Sequence, residues 1–193
     1  EVATVPGFGP NPEADREAAR KLMRDAGYGP DKPLRFPLIT RNVGIFRSVS
    51  VLLMDQMRKI GIESEMKLVE TAQWDIIQAQ GDWPIVVTSY GGAADDPDVV
   101  LYDGFACDSN GNFSHYCSTD MQARIEAQSA ELDPVKRSRM VRDIDRTLME
   151  ENVRPVLVHN AHCVCQHAYV RDLVSSGNGL YNNWRMEDVW LDV

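Results

Sequence analysis

Short apolar stretches alternate with helical patterns over roughly the first ninety residues, and this order restricts the fold more than any other feature. Strand-like composition marks residues 34–40, 62–69 and 84–90. A helix that stops at Gly61 is predicted between the first two strands, with one face formed by Phe46, Val49, Leu52, Leu53, Met57 and Ile60. Thr71 is predicted to cap a shorter helix before the third strand. Strands alternating with helices in this way build a sheet covered by helices, so the predicted class is α/β.

Three further local predictions concern the first half. Residues 13–26 form an amphipathic helix closed by Gly27, where a left-handed residue ends a helix. Pro37 lacks an N–H group, which predicts an edge position or a bulge for the first strand. Residues 1–12 are rich in Pro and Gly and read as an irregular lead-in, as expected for part of a longer chain.

The second half begins with a loop-rich stretch, residues 91–119, in which only 99–105 resembles a helical turn. Two helices are predicted next, at 120–132 and 134–152, the second with Asp133 as its N-cap. Residues 156–166 are strand-like. The tail, residues 180–193, contains Tyr181, Trp184 and Trp190 and is too apolar to extend freely into water.

Composition and charge exclude several classes of partner and activity. The formal charge is −9, and no basic cluster marks a nucleic-acid surface. No apolar run approaches the roughly 20 residues that a membrane-spanning helix needs. No nucleophile–base, zinc-protease or phosphate-loop motif occurs, so no enzymatic activity and no cofactor are predicted.

One tract, from His159 to His167, contains three of the four histidines and two of the four cysteines. On a strand its outer members lie about 26 Å apart, whereas zinc–ligand bonds measure about 2.0 to 2.3 Å. Cys163, Cys165 and His167 could hold an ion only with a fourth ligand from elsewhere. Ordinary strand side chains are the favoured interpretation, and a metal-handling protein is the alternative function.

Cysteine spacing leaves one disulfide open and argues against another. Cys107 and Cys117 enclose a loop of Asp, Ser, Asn and Gly residues that is flexible enough to bring the two thiols together. From the residues alone, a bridge and two free thiols are equally open. Cys163 and Cys165 are predicted not to bridge each other, because side chains two apart on a strand point the same way at an unsuitable separation.

Seven segments in order carry a family resemblance: residues 15–28, 38–42, 55–62, 95–98, 112–117, 133–137 and 154–157. Through them the chain resembles the C-terminal part of the family 5 extracellular solute-binding proteins of ABC transporters. That group includes peptide, dipeptide and nickel binders. The resemblance implies a fold like the type II periplasmic binding proteins, in which two lobes close on a ligand like a hinge.

The resemblance implies that the chain corresponds to the second lobe. Residues 13–179 would form this lobe, with a mixed sheet covered by helices, and residues 180–193 would form a tail that returns toward a missing first lobe. The resemblance further implies a peptide or small organic ligand and ABC permease subunits as partners. It implies a location in the periplasm, or tethered outside the membrane. Members with a cysteine pair at the same positions imply a bridge between Cys107 and Cys117.

The resemblance also implies which residues face the ligand: Arg41, Asn42, Arg47, Tyr90, Gly91, Gly92, Ala93 and Asp95. Arg47 lies where dipeptide binders place a basic residue for the ligand carboxylate, although a solvated residue in the first helical turn is the alternative. In peptide binders an acidic residue four before the proline holds the ligand's α-amino group, and here that residue is Ala93.

The two aspartates after Ala93 bear on the same contact. Asp95 and Asp96 precede Pro97 in a predicted turn and helix cap, so backbone N–H groups are expected to occupy their carboxylates. A ligand without a free α-amine at this contact is therefore expected.

Overall fold

The computed structural model describes residues 10–91, 94, 96–158, 165–173 and 187–192. Within these residues the elements are, in chain order, α1 (Pro12–Asp25), β1 (Leu34–Arg41), α2 (Gly44–Arg58), β2 (Ile62–Val69), α3 (Thr71–Gln80), β3 (Ile85–Val87), α4 (Pro97–Phe105), α5 (Thr119–Ser129), α6 (Pro134–Glu150), β4 (Val170–Arg171) and β5 (Trp190–Leu191). None of the helices in the described ranges is long and apolar enough to cross a membrane.

The chain divides into two units. The first, called here the sheet unit, contains the residues up to Ser89 together with Phe113–His115 and Arg142–Pro155. The second, called the helical unit, contains Tyr90–Asn112, Tyr116–Val141 and the residues from Val156 onward.

A parallel three-stranded sheet with the order β2-β1-β3 forms the centre of the sheet unit. Leu38, Met57 and Val87 are its buried core, and partly buried residues pack against them: Phe36, Val49, Leu53, Met54, Ile62 and Ile85. Thr40 is fully buried beside this core, where its hydroxyl donates to the Val87 carbonyl at 2.8 Å. The strand–helix alternation therefore produces the predicted α/β class.

Pro37 lies in the central strand, so the predicted edge position is wrong for β1 as a whole. The physical reason is local, because β3 pairs only with Leu38, Ile39 and Thr40. At Pro37 the register shows pairing with β2 alone. A residue without an N–H group is tolerated there because one side of the strand has no ladder to complete.

Helix α2 buries most but not all of its predicted face. Val49, Leu53 and Met57 contribute to the core, whereas Leu52 is 64% exposed. Adjacent residues on a helix point about 100° apart, so Leu52 and Leu53 cannot both face the sheet. Gly61 ends this segment with a φ of +87°, a backbone conformation that favours glycine.

Two predictions about helix starts need correction. The N-cap of α3 is Glu70 rather than Thr71, and it makes no side-chain bond to its own helix. The predicted turn at 99–105 is the later part of a full helix, α4, which begins at Pro97. Asp96 explains that earlier start, since its carboxylate accepts from the Asp98 N–H at 2.8 Å. Asp133 caps α6 as predicted, accepting from the Val135 N–H at 2.8 Å.

The strand predicted at 156–166 is not formed where the structure describes it. Val156, Leu157 and Val158 are exposed and have no strand conformation, and neither do residues 165 and 166. Residues 159–164 lie outside the described part. A strand requires a partner, and β5 instead pairs antiparallel with β4 further along the chain. Of the apolar tail, Trp190 is paired in this way opposite Arg171, whereas Tyr181 and Trp184 lie outside the described residues.

Candidate functional site

The carboxyl ends of β1 and β2 meet at one edge of the parallel sheet. Arg41 is the last residue of β1, and Asn42 follows it with its N–H donating to the Val69 carbonyl at 2.9 Å. Glu70 follows β2 at the same level. In open α/β sheets, this edge is where ligands bind.

Arg41 contacts two aromatic rings. Its guanidinium carbon lies 4.6 Å from the centre of the Phe46 ring and 5.6 Å from that of Trp74. Both distances suit a cation–π contact. The Arg41 Nε atom is buried and has no hydrogen-bond partner among the described residues. A buried donor without a partner reduces stability.

Asn42 connects the other polar groups of the edge. Its side-chain Nδ2 donates to Glu70 Oε1 at 2.9 Å, and its Oδ1 accepts from Arg47 Nη1 at 3.1 Å. Arg47 therefore donates to a neutral amide, which leaves its positive charge uncompensated by that contact. We call Arg41, Asn42, Arg47 and Glu70 the edge cluster. Its two arginines outnumber its one glutamate, so the cluster carries a net positive charge.

The structure thus brings together three of the residues implied by the resemblance, Arg41, Asn42 and Arg47. Sequence reasoning missed the contribution of Glu70 and the role of Trp74 beneath Arg41. A signal for Glu70 was available, because it directly follows the strand predicted beside β1, and the carboxyl ends of parallel strands share an edge. No local pattern marks the ring contact of Trp74, which depends on how α3 packs.

Tyr90 and Gly91 belong to the helical unit and are described within it. The Tyr90 hydroxyl donates to Asp103 Oδ2 at 2.6 Å, joining the segment after β3 to helix α4. Gly92, Ala93 and Asp95 lie outside the described residues. Their assignment to the ligand site remains a prediction.

Asp96 is committed to a structural role in the helical unit. Besides capping α4, its two carboxylate oxygens accept from Arg137 Nη1 and Nη2 at 2.8 and 2.6 Å. This bidentate pair joins the start of α4 to the first turn of α6. The expectation that backbone N–H groups occupy this carboxylate is confirmed for Asp96, with the Asp98 N–H as donor.

The Asp96–Arg137 pair predicts a pH dependence of stability. Hydrogen bonds from Arg137 and from the Asp98 N–H hold the pKa of Asp96 below its ordinary value. Because the folded-state pKa is depressed, the contribution is fully present above the unfolded pKa of about 3.9 and is lost as the pH falls through the folded value. We expect Asp96→Asn, which keeps a capping oxygen, to lower the free energy of unfolding by about 1 kcal/mol at neutral pH.

Urea denaturation between pH 7 and pH 2 measures this effect. Asp96→Asn is expected to lose less stability on acidification than the wild type. Asp120→Asn is the control, since Asp120 is a strongly exposed residue of the same unit, 3.7 Å from Arg124. Equal acid sensitivity of the Asp96 variant and the wild type would show that this pair contributes nothing to the pH dependence.

Cys107 and Cys117 form a disulfide, which confirms the pairing implied by the resemblance. Inside the closed loop, the buried Asn112 side chain donates to the carbonyls of Ala106 and Tyr116 at 3.1 and 2.6 Å. The loop is therefore tied to the end of α4 by both covalent and hydrogen bonds. Cys165 is an exposed free thiol, and Cys163 lies outside the described residues.

Most of the His159–His167 tract, on which the metal hypothesis rests, lies outside the described residues. Residues 159–164 lie outside the described part, and His167 stacks on Tyr169 with ring centres 5.0 Å apart. Among the described residues, no group of three or more His, Cys, Asp or Glu side chains could hold a metal ion.

Comparisons with solved structures identify the fold. One match is DppA from Helicobacter pylori, a periplasmic binding protein associated with an ABC transporter and solved in complex with the peptide STSA. The TM-score is 0.77 at 15% identity, and the match covers 100% of this chain and 37% of the DppA chain. NikA from Staphylococcus aureus, solved with Ni(L-His)2, matches with a TM-score of 0.72 at 19% identity. This match covers 86% of this chain and 36% of the NikA chain.

A third likeness is to the murein tripeptide binding protein MppA of Escherichia coli, with a TM-score of 0.69 at 19% identity over 78% of this chain and 31% of that one. The chain thus spans about a third of the length of these proteins. The likeness confirms the fold of a type II periplasmic binding protein.

Sequence comparison establishes the family. No curated protein sequence shows significant similarity to the chain. The family model of the bacterial extracellular solute-binding proteins, family 5 Middle, matches residues 3–112. Since this match covers more than half of the sequence, the chain belongs to the family 5 bacterial extracellular solute-binding proteins.

Proposed function

We propose that the chain is the second lobe of a solute-capturing subunit of an ABC importer. The parent protein, with a first lobe that faces this one across a cleft, binds a solute outside the cytoplasmic membrane and delivers it to the permease. It performs no catalysis. Family membership supports this role, and the edge cluster at the carboxyl end of the sheet is the observation that carries it.

The edge cluster is suited to an anionic or strongly polar group of the ligand. Arg47 is exposed at the start of α2 and can present its fork of donors to a carboxylate in two parallel hydrogen bonds. The Asn42 Oδ1 atom accepts a hydrogen bond from Arg47 Nη1 and so orients the guanidinium. Arg41 adds a second positive charge at the same edge, next to the Phe46 and Trp74 rings. These three residues form the proposed anion-facing part of the site.

The ligand is proposed to lack a free amine at the contact near position 93. Ala93 carries no charge, and Asp96, the nearest described carboxylate along the chain, is engaged by Arg137. An ammonium group buried without a charged partner typically costs about 3 to 5 kcal/mol. We therefore favour an N-blocked or modified peptide, a carbohydrate-like compound or another small organic solute without a free amine at this contact. The solved relatives carry a tetrapeptide in DppA and a nickel–histidine complex in NikA.

A binding screen of the full-length protein tests the proposal. The probes are trialanine, N-acetyl-trialanine and maltotriose, each followed by thermal shift and then by calorimetry. We expect N-acetyl-trialanine or maltotriose to raise the melting temperature more than trialanine does. For N-acetyl-trialanine, whose carboxylate faces the edge cluster, Arg47→Ala is expected to weaken binding at least roughly tenfold.

Arg35→Ala is the matched control. Arg35 is an exposed arginine of β1 paired with Glu63 at 2.8 Å, and it lies near the amino end of the strand, away from the edge cluster. It is expected to leave binding unchanged. Equal affinity of the two arginine variants for N-acetyl-trialanine would remove Arg47 from the site. A preference for unmodified trialanine would contradict the proposed absence of an amine contact.

A further inference from the structure

The side-chain amide of Asn42 is held in one orientation by its two charged neighbours. Glu70 Oε1 accepts from Asn42 Nδ2 at 2.9 Å, and Arg47 Nη1 donates to Asn42 Oδ1 at 3.1 Å. A carboxylate can only accept a hydrogen bond, and a guanidinium can only donate one. If the amide were turned over, its NH2 group would face the guanidinium and its oxygen would face the carboxylate, so both contacts would be lost. Glu70, Asn42 and Arg47 therefore form a hydrogen-bonded series with a single direction.

The parallel sheet sets the backbone that carries this series. The Asn42 N–H donates to the Val69 carbonyl at 2.9 Å, which extends the pairing of β1 with β2 past Arg41 and brings Asn42 beside Glu70. At the other end of the series, the Arg47 N–H donates to the Val43 carbonyl at 3.1 Å in the first turn of α2. The series thus depends on the strand register and on the start of α2.

Glu70 occupies the N-cap position of α3 but does not act as a cap. N-cap positions favour Ser, Thr, Asp or Asn, whose short side chains accept from N–H groups of their own helix. The Glu70 side chain makes no such hydrogen bond. Its carboxylate accepts instead from Asn42, which follows the neighbouring strand. Glu70 therefore serves the edge cluster and not the first turn of its own helix.

We propose that Glu70 is a positioning residue, which acts through Asn42 to hold the Arg47 guanidinium in place for a ligand carboxylate. This inference rests on the proposed function, because it requires Arg47 to face the ligand. Glu70 itself does not contact the ligand. Its negative charge alone would weaken the binding of an anion at this edge, whereas its hydrogen bond to Asn42 strengthens it. The two effects have opposite signs, so an experiment can separate them.

The test measures how strongly the site prefers a carboxylate. N-acetyl-trialanine and N-acetyl-trialanine amide differ only in the C-terminal group, which is charged in the acid and neutral in the amide. Calorimetry on the full-length protein is expected to show at least roughly tenfold tighter binding of the acid to the wild type. In Glu70→Ala this ratio is expected to fall at least about threefold, because Asn42 can then turn over and release Arg47. If only the unblocked peptide binds, trialanine and trialanine amide replace the acetylated pair.

Glu70→Gln is the rescue variant. The glutamine carbonyl can accept from Asn42 Nδ2 as the carboxylate does, while the negative charge is removed. We expect this variant to keep the acid-to-amide ratio at or above the wild-type value. Glu63→Ala is the matched control, because it removes the same charge from β2 near the amino end of that strand, where Glu63 pairs with Arg35 at 2.8 Å. It is expected to leave the ratio unchanged.

The outcomes separate this inference from the proposed function. A wild-type ratio retained or exceeded in Glu70→Ala overturns the inference and leaves the solute-binding role standing. A fall in Glu70→Gln as large as that in Glu70→Ala also overturns it, since the acceptor would then be insufficient. Equal binding of acid and amide to the wild type, or binding of maltotriose alone, contradicts the anion-facing site and the inference with it. Failure of every probe to bind contradicts the proposed function itself.

Discussion

Trp74→Ala is expected to lower the free energy of unfolding of the chain by about 3 to 5 kcal/mol, the usual cost of truncating a buried aromatic side chain. Trp74 is 3% exposed and is the buried apolar anchor of α3. Its ring also lies against the Arg41 guanidinium, so the variant removes packing from α3 and one of the two rings that contact Arg41. Urea denaturation followed by far-ultraviolet circular dichroism measures the change.

Ile76→Ala is the control for this prediction. Ile76 lies on the same helix but is 62% exposed, so its truncation should change stability by less than about 0.5 kcal/mol. Trp74→Phe keeps a ring at the site and is expected to fall between the two. If Trp74→Ala and Ile76→Ala were equally mild, α3 would not depend on Trp74 for its attachment to the sheet unit.

Local sequence patterns predict the sheet unit well because each of its elements carries its own signal. The strand at 34–40, the helix ending at Gly61 and the strand at 62–69 all occur close to their predicted positions. Pro37 misled the prediction because strand order is a property of the whole sheet. The apolar run after Pro155 was wrongly predicted to be a strand. A strand forms only where a partner strand is available, and apolar composition alone does not indicate whether one is.

The candidate site was only partly predictable. Arg41, Asn42 and Arg47 follow from the family resemblance, and the structure places them in one edge cluster. Sequence patterns assign no role to Glu70, yet the Asn42 side-chain amide donates to its carboxylate at 2.9 Å. Asp103 lies in a stretch that sequence reasoning treated only as a possible helical turn. Its contact with Tyr90 spans 13 residues and exists because α4 and the disulfide loop fold back together.

A second large effect concerns affinity rather than stability. A ligand pocket typically buries most of its ligand, and this chain supplies one wall of the proposed cleft. With a single wall, the ligand stays partly hydrated and the contacts of the first lobe are missing, while much of the cost of immobilising the ligand persists. We expect the isolated chain to bind at least roughly a hundredfold more weakly than the full-length protein, a difference of about 3 kcal/mol.

Calorimetry tests this central claim most directly. The dissociation constant is measured for the isolated 193-residue chain and for the full-length protein, with whichever of N-acetyl-trialanine and maltotriose gives the larger thermal shift. Circular dichroism of the isolated chain shows that it is folded under the same conditions. A folded chain with at least roughly hundredfold weaker binding is the predicted result. Equal affinity of the isolated chain and the full-length protein would contradict the two-lobed cleft.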